Sequence, residues 1–339
     1  MQGGLIPEMV ESAVVPARPR ILTRAAIWIA LAVAHLAVVL APFPIFALWP
    51  KAGWAAFLLY APRAPLALPA LITVLVLRGR WRFLPLVTAA IVLGPLMGLH
   101  VNGPARDGQV RLVTWHVWFG AGDPAFVRST LAEADPDIVV LQSADDRLYG
   151  VLGQTFADRD WVRLGQYAVG SRWPARAVEQ GPPLAATGWR AWARFAIDSP
   201  IGTLELLAVH PHSPRALLRG PVRKSARGDQ LEMEDLSRAL RDIDDADRHG
   251  GPLRLVAGDF NAPELAGLMR GLFASSSDAF AVAGNGYGYT FPVHNRFIPW
   301  LRLDRVFTGP GLRPTRAEVI GYRGSDHAAL LVDFERTPH

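Results

Sequence analysis

The stretch Leu255-Val256-Ala257-Gly258-Asp259-Phe260-Asn261 decides how the chain reads. An apolar run delivers a glycine, then an aspartate and an asparagine two positions apart. A buried strand that ends this way sets a carboxylate and an amide on the same side of the chain, just past the strand's end. Open α/β folds gather their chemistry at such strand ends. The same residues also make an ordinary strand-to-turn exit, so the weight of the motif depends on what surrounds it.

Working outward, the grammar repeats. Val110 to Trp115 alternates and is rich in β-formers, so it reads as a strand leading to His116. Asp123-Pro124 is a helix start, with Val127, Leu131 and Ala134 on one face. Ile138 to Leu141 is a fully apolar run typical of a buried strand; it ends at Gln142-Ser143, with Asp145 and Asp146 close behind. Shorter strands are expected at Tyr167–Ser171, Arg190–Ile197 and Leu204–His210. Met233, Leu236, Leu240 and Ile243 give residues 229–247 an amphipathic helical face. Leu301 to Phe307 alternates again, and Gly324-Ser325-Asp326-His327 precedes a closing strand at Ala328–Phe334. His116, Gln142, His210, Asp259, Asn261, Asp304, Asp326 and His327 all fall at strand ends. Any one of them serves equally well as a cap or a satisfied core polar group, but together they mark a site.

Composition sets the outer bounds. Half of the 339 residues are hydrophobic and 19% are charged, a balance that points to a membrane portion. The net charge of +5 is carried almost wholly by arginine, with Lys51 and Lys224 the only lysines. Without cysteine, the chain has no disulfide, zinc–thiolate site or cysteine nucleophile. Residues 1–24 read as a cytoplasmic tail and residues 25–101 as a membrane domain with three hydrophobic spans: Ala25 to Leu48, Ala64 to Leu77 and Phe83 to Val101. Residues 53–62, apolar but followed by Arg63 and Pro65, suit an interfacial helix. Arg18, Arg20 and Arg24 flank the first span and Arg78, Arg80 and Arg82 join the second to the third, while Lys51 alone marks the other side. This asymmetry puts the arginines in the cytoplasm. The linker 102–109 and the domain 110–335 then face outward from a multi-pass plasma-membrane protein. His35, inside the first span, reads as a histidine packed against neighbouring helices.

Over about residues 109–335 the chain resembles the endonuclease/exonuclease/phosphatase superfamily, the DNase I-like fold. The carriers are Val113-Thr114-Trp115-His116, Pro136-Asp137 through Gln142, Ser171-Arg172-Trp173-Pro174, Val209-His210, Gly258-Asp259-Phe260-Asn261, Arg302-Leu303-Asp304 and Ser325-Asp326-His327. With its hydrophobic N-terminus, the whole chain is similar to the membrane-anchored bacterial subgroup associated with glycopeptide resistance. The resemblance implies an α/β fold in which N-terminal transmembrane helices precede a four-layer sandwich, two mostly antiparallel sheets face to face with helices outside. It also implies metal-assisted attack of water on a phosphoester. His327 would face the scissile phosphate and Asp304 would pair with it. Asp259 would orient or deprotonate the water, and Asn261 would donate to a phosphate oxygen. His210 matches a second histidine that acts as acid or phosphate contact. Asp326 would help hold a divalent metal, Mg²⁺ or Mn²⁺.

Two positions depart from that pattern. His116 stands where the family has Asn, and Ser143 where it has the Glu that is its main metal carboxylate. A neutral serine weakens a Mg²⁺ site, and the imidazole of His116 shifts preference toward Mn²⁺ or Zn²⁺. Asp145 or Asp146 is a candidate to replace the missing carboxylate. The first functional reading is a membrane-anchored phosphohydrolase acting outside the cytoplasm, its substrate a phosphoester such as a lipid-linked phosphate or pyrophosphate, with the bilayer as partner. The alternatives are a catalytically impaired phosphoester-binding or sensing protein, and a nuclease. Nucleic acid is the less favoured partner, since the basic stretch Arg215–Arg227 reads as a solvated loop.

Overall fold

The computed structural model describes residues 20–41, 59–118, 122–183, 188–213, 236, 238–239, 251–266, 276–293 and 298–337. Among these residues, twelve strands form two six-stranded sheets. The first sheet holds β1 (Val110–His116), β2 (Ile138–Gln142), β3 (Asp160–Leu164), β4 (Tyr167–Ser171), β11 (Leu312–Ile320) and β12 (Ala329–Arg336), in the order β11-β12-β1-β2-β4-β3. The second holds β5 (Ala175–Gln180), β6 (Trp192–Ser199), β7 (Gly202–Val209), β8 (Leu253–Asp259), β9 (Ser277–Asp278) and β10 (Asp304–Thr308), in the order β5-β6-β7-β8-β10-β9. Pairing is antiparallel except for β1 with β2 and β7 with β8.

Alternation along the strands builds the layers. Val110 and Leu112 of β1 join Ile138, Val140, Phe195, Leu206, Leu255 and Val306 in a core between the two sheets. Their neighbours Val113 and Trp115 point the other way, into a second core capped by Val127 and Leu131 of a helix at Pro124–Ala134 and by Leu148 and Leu152 of a helix at Asp146–Thr155. Asp123 caps the first of these helices by accepting from Ala125 N, as its sequence position requires. On the far side of the second sheet, Leu236 and Ala239 are buried with Val256 and Phe307. The rest of the expected helix 229–247 lies outside the described residues, as does Arg215–Arg227.

The N-terminal region forms a helical layer against this sandwich. Helix α1 spans Arg20–Leu40, α2 Leu68–Val76 and α3 Phe83–Ile91. Nine residues of α-helix rise about 14 Å, against about 30 Å of bilayer hydrocarbon. Pro69 and Pro85 sit in the first turns of α2 and α3, and the chain kinks at Gly94 just before Pro95. Among the described residues no helix is long and apolar enough to cross a membrane, so the expectation of three spans is not met by the helices seen. The part of the first expected span beyond Ala41 lies outside the described residues. The His35 ring donates to Leu66 O at 2.9 Å, a packed histidine as expected. The stretch expected as a linker is stitched down where it starts: Asn102 Nδ2 donates to Gly284 O and Ala281 O, and Asn102 N donates to Asn285 Oδ1.

Candidate active site

The termini of β1, β2, β7 and β8 and the starts of β10 and β12 lie at one end of the sandwich, which brings the strand-end polar residues together. Backbone geometry makes the floor. Gly258 has φ +147°, and a Cβ there would collide with the Val209 carbonyl of the parallel neighbour strand. Only glycine lets β8 close on β7 one residue before Asp259. In β10, Asp304 lies directly opposite Asp259, so the antiparallel register sets two buried carboxylates side by side.

Their partners separate their roles. Asp304 Oδ2 accepts from His327 Nδ1 at 2.7 Å, while the Leu303 and Asp304 amides both donate to Thr290 Oγ1 at 3.2 Å. Asp259 Oδ1 accepts from Asn261 N at 2.7 Å. Asp259 Oδ2 is buried without a hydrogen-bond partner. It is ringed by His116 Nδ1 at 3.9 Å, His210 Nε2 at 3.7 Å and His327 Nε2 at 3.7 Å. Asp326 Oδ1 lies 3.9 Å from His116 Nδ1. The three imidazoles pack together, His116 having its centroid 4.5 Å from that of His210 and 4.6 Å from that of His327.

Side chains behind the imidazoles hold the rings in place. His116 Nε2 lies 3.1 Å from Ser143 Oγ, and His210 Nδ1 lies 2.9 Å from Gln166 Oε1. The indole N–H of Trp189 donates to His210 O at 2.8 Å and that of Trp115 to His327 O at 2.9 Å. Asn261 adopts φ 45°, a left-handed conformation rare outside glycine. Its Nδ2 donates to Pro211 O at 3.0 Å, and its carbonyl accepts from the Tyr60 hydroxyl at 2.6 Å.

Burial then divides the charges. It drives His210 down to about 3, aided by the positive charge of His327 and His212, so this ring is neutral at pH 7. Burial also opposes charge on His327, but the carboxylates of Asp304 and Asp259 outweigh it and hold the ring protonated up to about 9. Asp259 is pushed up to about 7, chiefly by burial; the His327 charge pulls against this and Asp304 adds to it. A carboxylate poised near neutrality beside a fixed imidazolium is the pairing that acid–base chemistry at pH 7 needs.

The structure brings together His116, Ser143, His210, Asp259, Asn261, Asp304, Asp326 and His327 at these strand ends. Asp145 and Asp146 are elsewhere: Asp145 caps its helix by accepting from Leu148 N at 2.8 Å, and exposed Asp146 pairs with Arg163. Neither replaces a carboxylate in the site. Ser143 lies among the imidazoles, bonded to their ring nitrogens and not aimed at the carboxylates. Gln166, Trp189, Thr290 and Tyr60 went unnoticed in the sequence. Each supports the site through long-range hydrogen bonds or ring contacts, and neither periodicity nor motif signals such contacts.

No curated protein matches this chain. Among solved structures, a 3'-5' exonuclease from Neisseria meningitidis is 21% identical, with a TM-score of 0.53 over 66% of this chain and 99% of that one. A 3' phosphatase from Neisseria bound to product DNA hairpin is 19% identical, with a TM-score of 0.52 over 66% and 99%. An endonuclease/exonuclease/phosphatase from Beutenbergia cavernae is 18% identical, with a TM-score of 0.52 over 68% and 72%. These likenesses show a shared fold. The family model for the Endonuclease/Exonuclease/phosphatase family matches residues 113–327, from β1 to the residue that pairs with Asp304, and on that match the chain belongs to this family.

Proposed function

We propose that the protein is a divalent-metal-dependent phosphoester hydrolase working at a membrane surface. The observation that carries this reading is the His327–Asp304 pair at 2.7 Å, with His327 Nε2 facing the Asp259 carboxylate at 3.7 Å. Solved relatives support it in kind, one of them being a 3' phosphatase seen with product DNA.

Asp259 is placed to take a proton from water as the water oxygen attacks phosphorus. His327, as imidazolium, faces the charge that builds on the phosphoryl oxygens and has a proton to give to the departing oxygen as the P–O bond breaks. Asn261 has an amide N–H beyond the one held by Pro211 to offer the phosphate. Among the described residues, three overlapping groups drawn from His116, His210, Asp259, Asp304, Asp326 and His327 are close enough to hold a metal ion. The unpartnered Asp259 Oδ2 fits a cation at their centre. Such an ion would neutralise phosphate charge and lower the pKa of a bound water.

The membrane part of the reading rests on the helical layer. Ile27, Leu31 and Val38 of α1, Leu71, Ile72 and Leu75 of α2 and Phe83 of α3 are exposed, a concentration of bare apolar side chains in one layer that fits contact with lipid. Tyr60, Tyr287 and Tyr289 tie this layer to the sandwich, through hydrogen bonds to Asn261 O, Leu93 O and Met97 O. The reacting residues therefore sit beside the surface that would meet lipid. A phosphate or pyrophosphate carried on a lipid is the substrate class such a placement favours, with the sandwich on the outer side of the plasma membrane.

The test is phosphate release by detergent-purified full-length protein from a polyprenyl diphosphate and from a water-soluble phosphoester, each with and without added divalent metal. Metal-dependent release with preference for the lipid-linked substrate is expected. Turnover of the soluble ester alone would remove the lipid-linked reading, and no turnover of either would remove the hydrolase.

A further inference from the structure

We propose that the strand-end cluster is a three-ligand site for a first-row transition-metal dication, held by His116 Nδ1, His210 Nε2 and Asp259 Oδ2, with Ser143 as the positioning residue for His116. The proposal rests on the hydrolase reading above and deepens it by naming the class of metal.

Arg190 O accepts from Gln166 Nε2 at 2.9 Å, which fixes the amide's orientation and leaves Gln166 Oε1 as an acceptor. His210 Nδ1, 2.9 Å from that oxygen, must then carry the ring proton. The Ser143 hydroxyl lies 3.4 Å from the same oxygen, 3.3 Å from His210 Nδ1 and 3.1 Å from His116 Nε2, so it ties the two rings together at their outer nitrogens. The inner nitrogens, His210 Nε2 and His116 Nδ1, face Asp259 Oδ2 at 3.7 and 3.9 Å. That oxygen belongs to a carboxylate only 1% exposed and accepts no hydrogen bond among the described residues. The three ligand atoms lie within 4.8 Å of one another, close enough for one cation to take all three.

Distances agree. Ligands about 2.0–2.1 Å from a tetrahedral metal lie about 3.3–3.5 Å from one another, so small ring rotations close the observed gaps. His327 faces the same space, but its Nδ1 is held by the carboxylate of Asp304, which favours the doubly protonated ring. With Asp326 it would line the open side, where water or phosphate enters. Two imidazoles and a single carboxylate are a poor match for Mg²⁺, which demands near-octahedral oxygen, and suit Zn²⁺, Co²⁺ or Mn²⁺. Outer ring nitrogens anchored on Ser143 and Gln166 are the support that metal-binding histidines require.

The experiment is titration of chelator-stripped full-length protein with Co²⁺, followed by ligand-field absorption, with phosphoester turnover measured in parallel. We expect a single Co²⁺ per chain with strong visible bands, displaced by Zn²⁺ and untouched by a large excess of Mg²⁺. His116→Asn and His210→Asn should each weaken Co²⁺ binding by at least about 100-fold, and Ser143→Ala, which removes no ligand, by about 10-fold with the bands retained. Displacement of Co²⁺ by Mg²⁺ in the wild-type protein, or wild-type bands in His116→Asn, would overturn the proposal. Bands as expected without turnover of any phosphoester would uphold the metal site and sink the hydrolase; Mg²⁺-driven turnover without Co²⁺ bands would do the reverse.

Discussion

The Tyr60 hydroxyl, from the N-terminal helical layer, donates a 2.6 Å hydrogen bond to the backbone carbonyl of Asn261. Trp300 Nε1 in turn donates to Tyr60 O at 3.0 Å, so the contact is clamped from both sides. Asn261 holds a left-handed φ of 45°, which its surroundings must enforce. Tyr60→Phe deletes one tether of that loop and leaves the apolar packing. A tether of this kind is worth about 0.5–1.5 kcal/mol, or roughly a 3- to 10-fold loss in rate. We expect kcat to fall by that factor on a soluble phosphoester while KM stays within about two-fold, the pattern of an interaction felt in the transition state. Steady-state kinetics decide, and an unchanged kcat would mean that the layer does not position Asn261.

The pH profile should be bell-shaped. Activity needs Asp259 ionised and His327 protonated. The acid limb follows ionisation of Asp259, raised toward about 7 by burial and drawn lower by a cation on its Oδ2, and the alkaline limb falls through about 9 as His327 loses its own proton. Asp304→Asn removes the carboxylate that holds the His327 proton, so the alkaline limb should shift down toward the ordinary imidazole value of about 6.5. A kcat/KM profile of the two proteins checks this; an unmoved alkaline limb would separate it from His327.

Gly258→Ala should cost at least about 2 kcal/mol, because φ +147° is strained for any side chain and the new methyl meets the Val209 carbonyl. Chemical denaturation measures the loss. Wild-type stability would mean that β7 and β8 can separate there at no cost.

Asp278 lies between two buried arginines, bonded to Arg302 NH1 through both oxygens and to Arg305 NH1 at 2.7 Å. The two guanidinium charges hold its carboxyl below the usual range against the opposing effect of burial. Asp278→Ala leaves both cations buried and should destabilise the fold by about 3–5 kcal/mol. Arg305 sits in β10, next to Asp304, so activity should fall with the melting temperature. Loss of activity with an unshifted melting temperature would contradict this structural role.

The legible part of this chain was the part where burial writes a pattern. The apolar runs of β1, β2, β4 and β8 are wholly or nearly wholly buried, and each ends where the sequence places a polar residue. The strand β5 is exposed over most of its length, with no apolar alternation to read. In β11, Pro314, two arginines and a bulge between Pro314 and Arg316 break the period. The site residues were found because the strands share one polarity and deliver their ends to one place. Ser143, where the resemblance implies a metal carboxylate, lies within hydrogen-bond reach of two imidazoles, a relationship set by side-chain geometry and invisible in sequence. In the N-terminal region hydropathy marks apolar runs, but where each helix starts and bends is set locally, by Pro69 and Pro85 in the first turns of α2 and α3 and by the kink at Gly94.

The most direct measurement of the central claim is the initial rate of phosphate release by wild-type protein and by Asp259→Asn, each stripped of metal and then restored with a divalent ion. The substitution keeps the shape of the side chain and removes its charge. The account predicts wild-type turnover that appears only with metal, and a kcat at least about 100-fold lower in Asp259→Asn. Equal turnover by the two proteins, or wild-type turnover indifferent to metal, would contradict it.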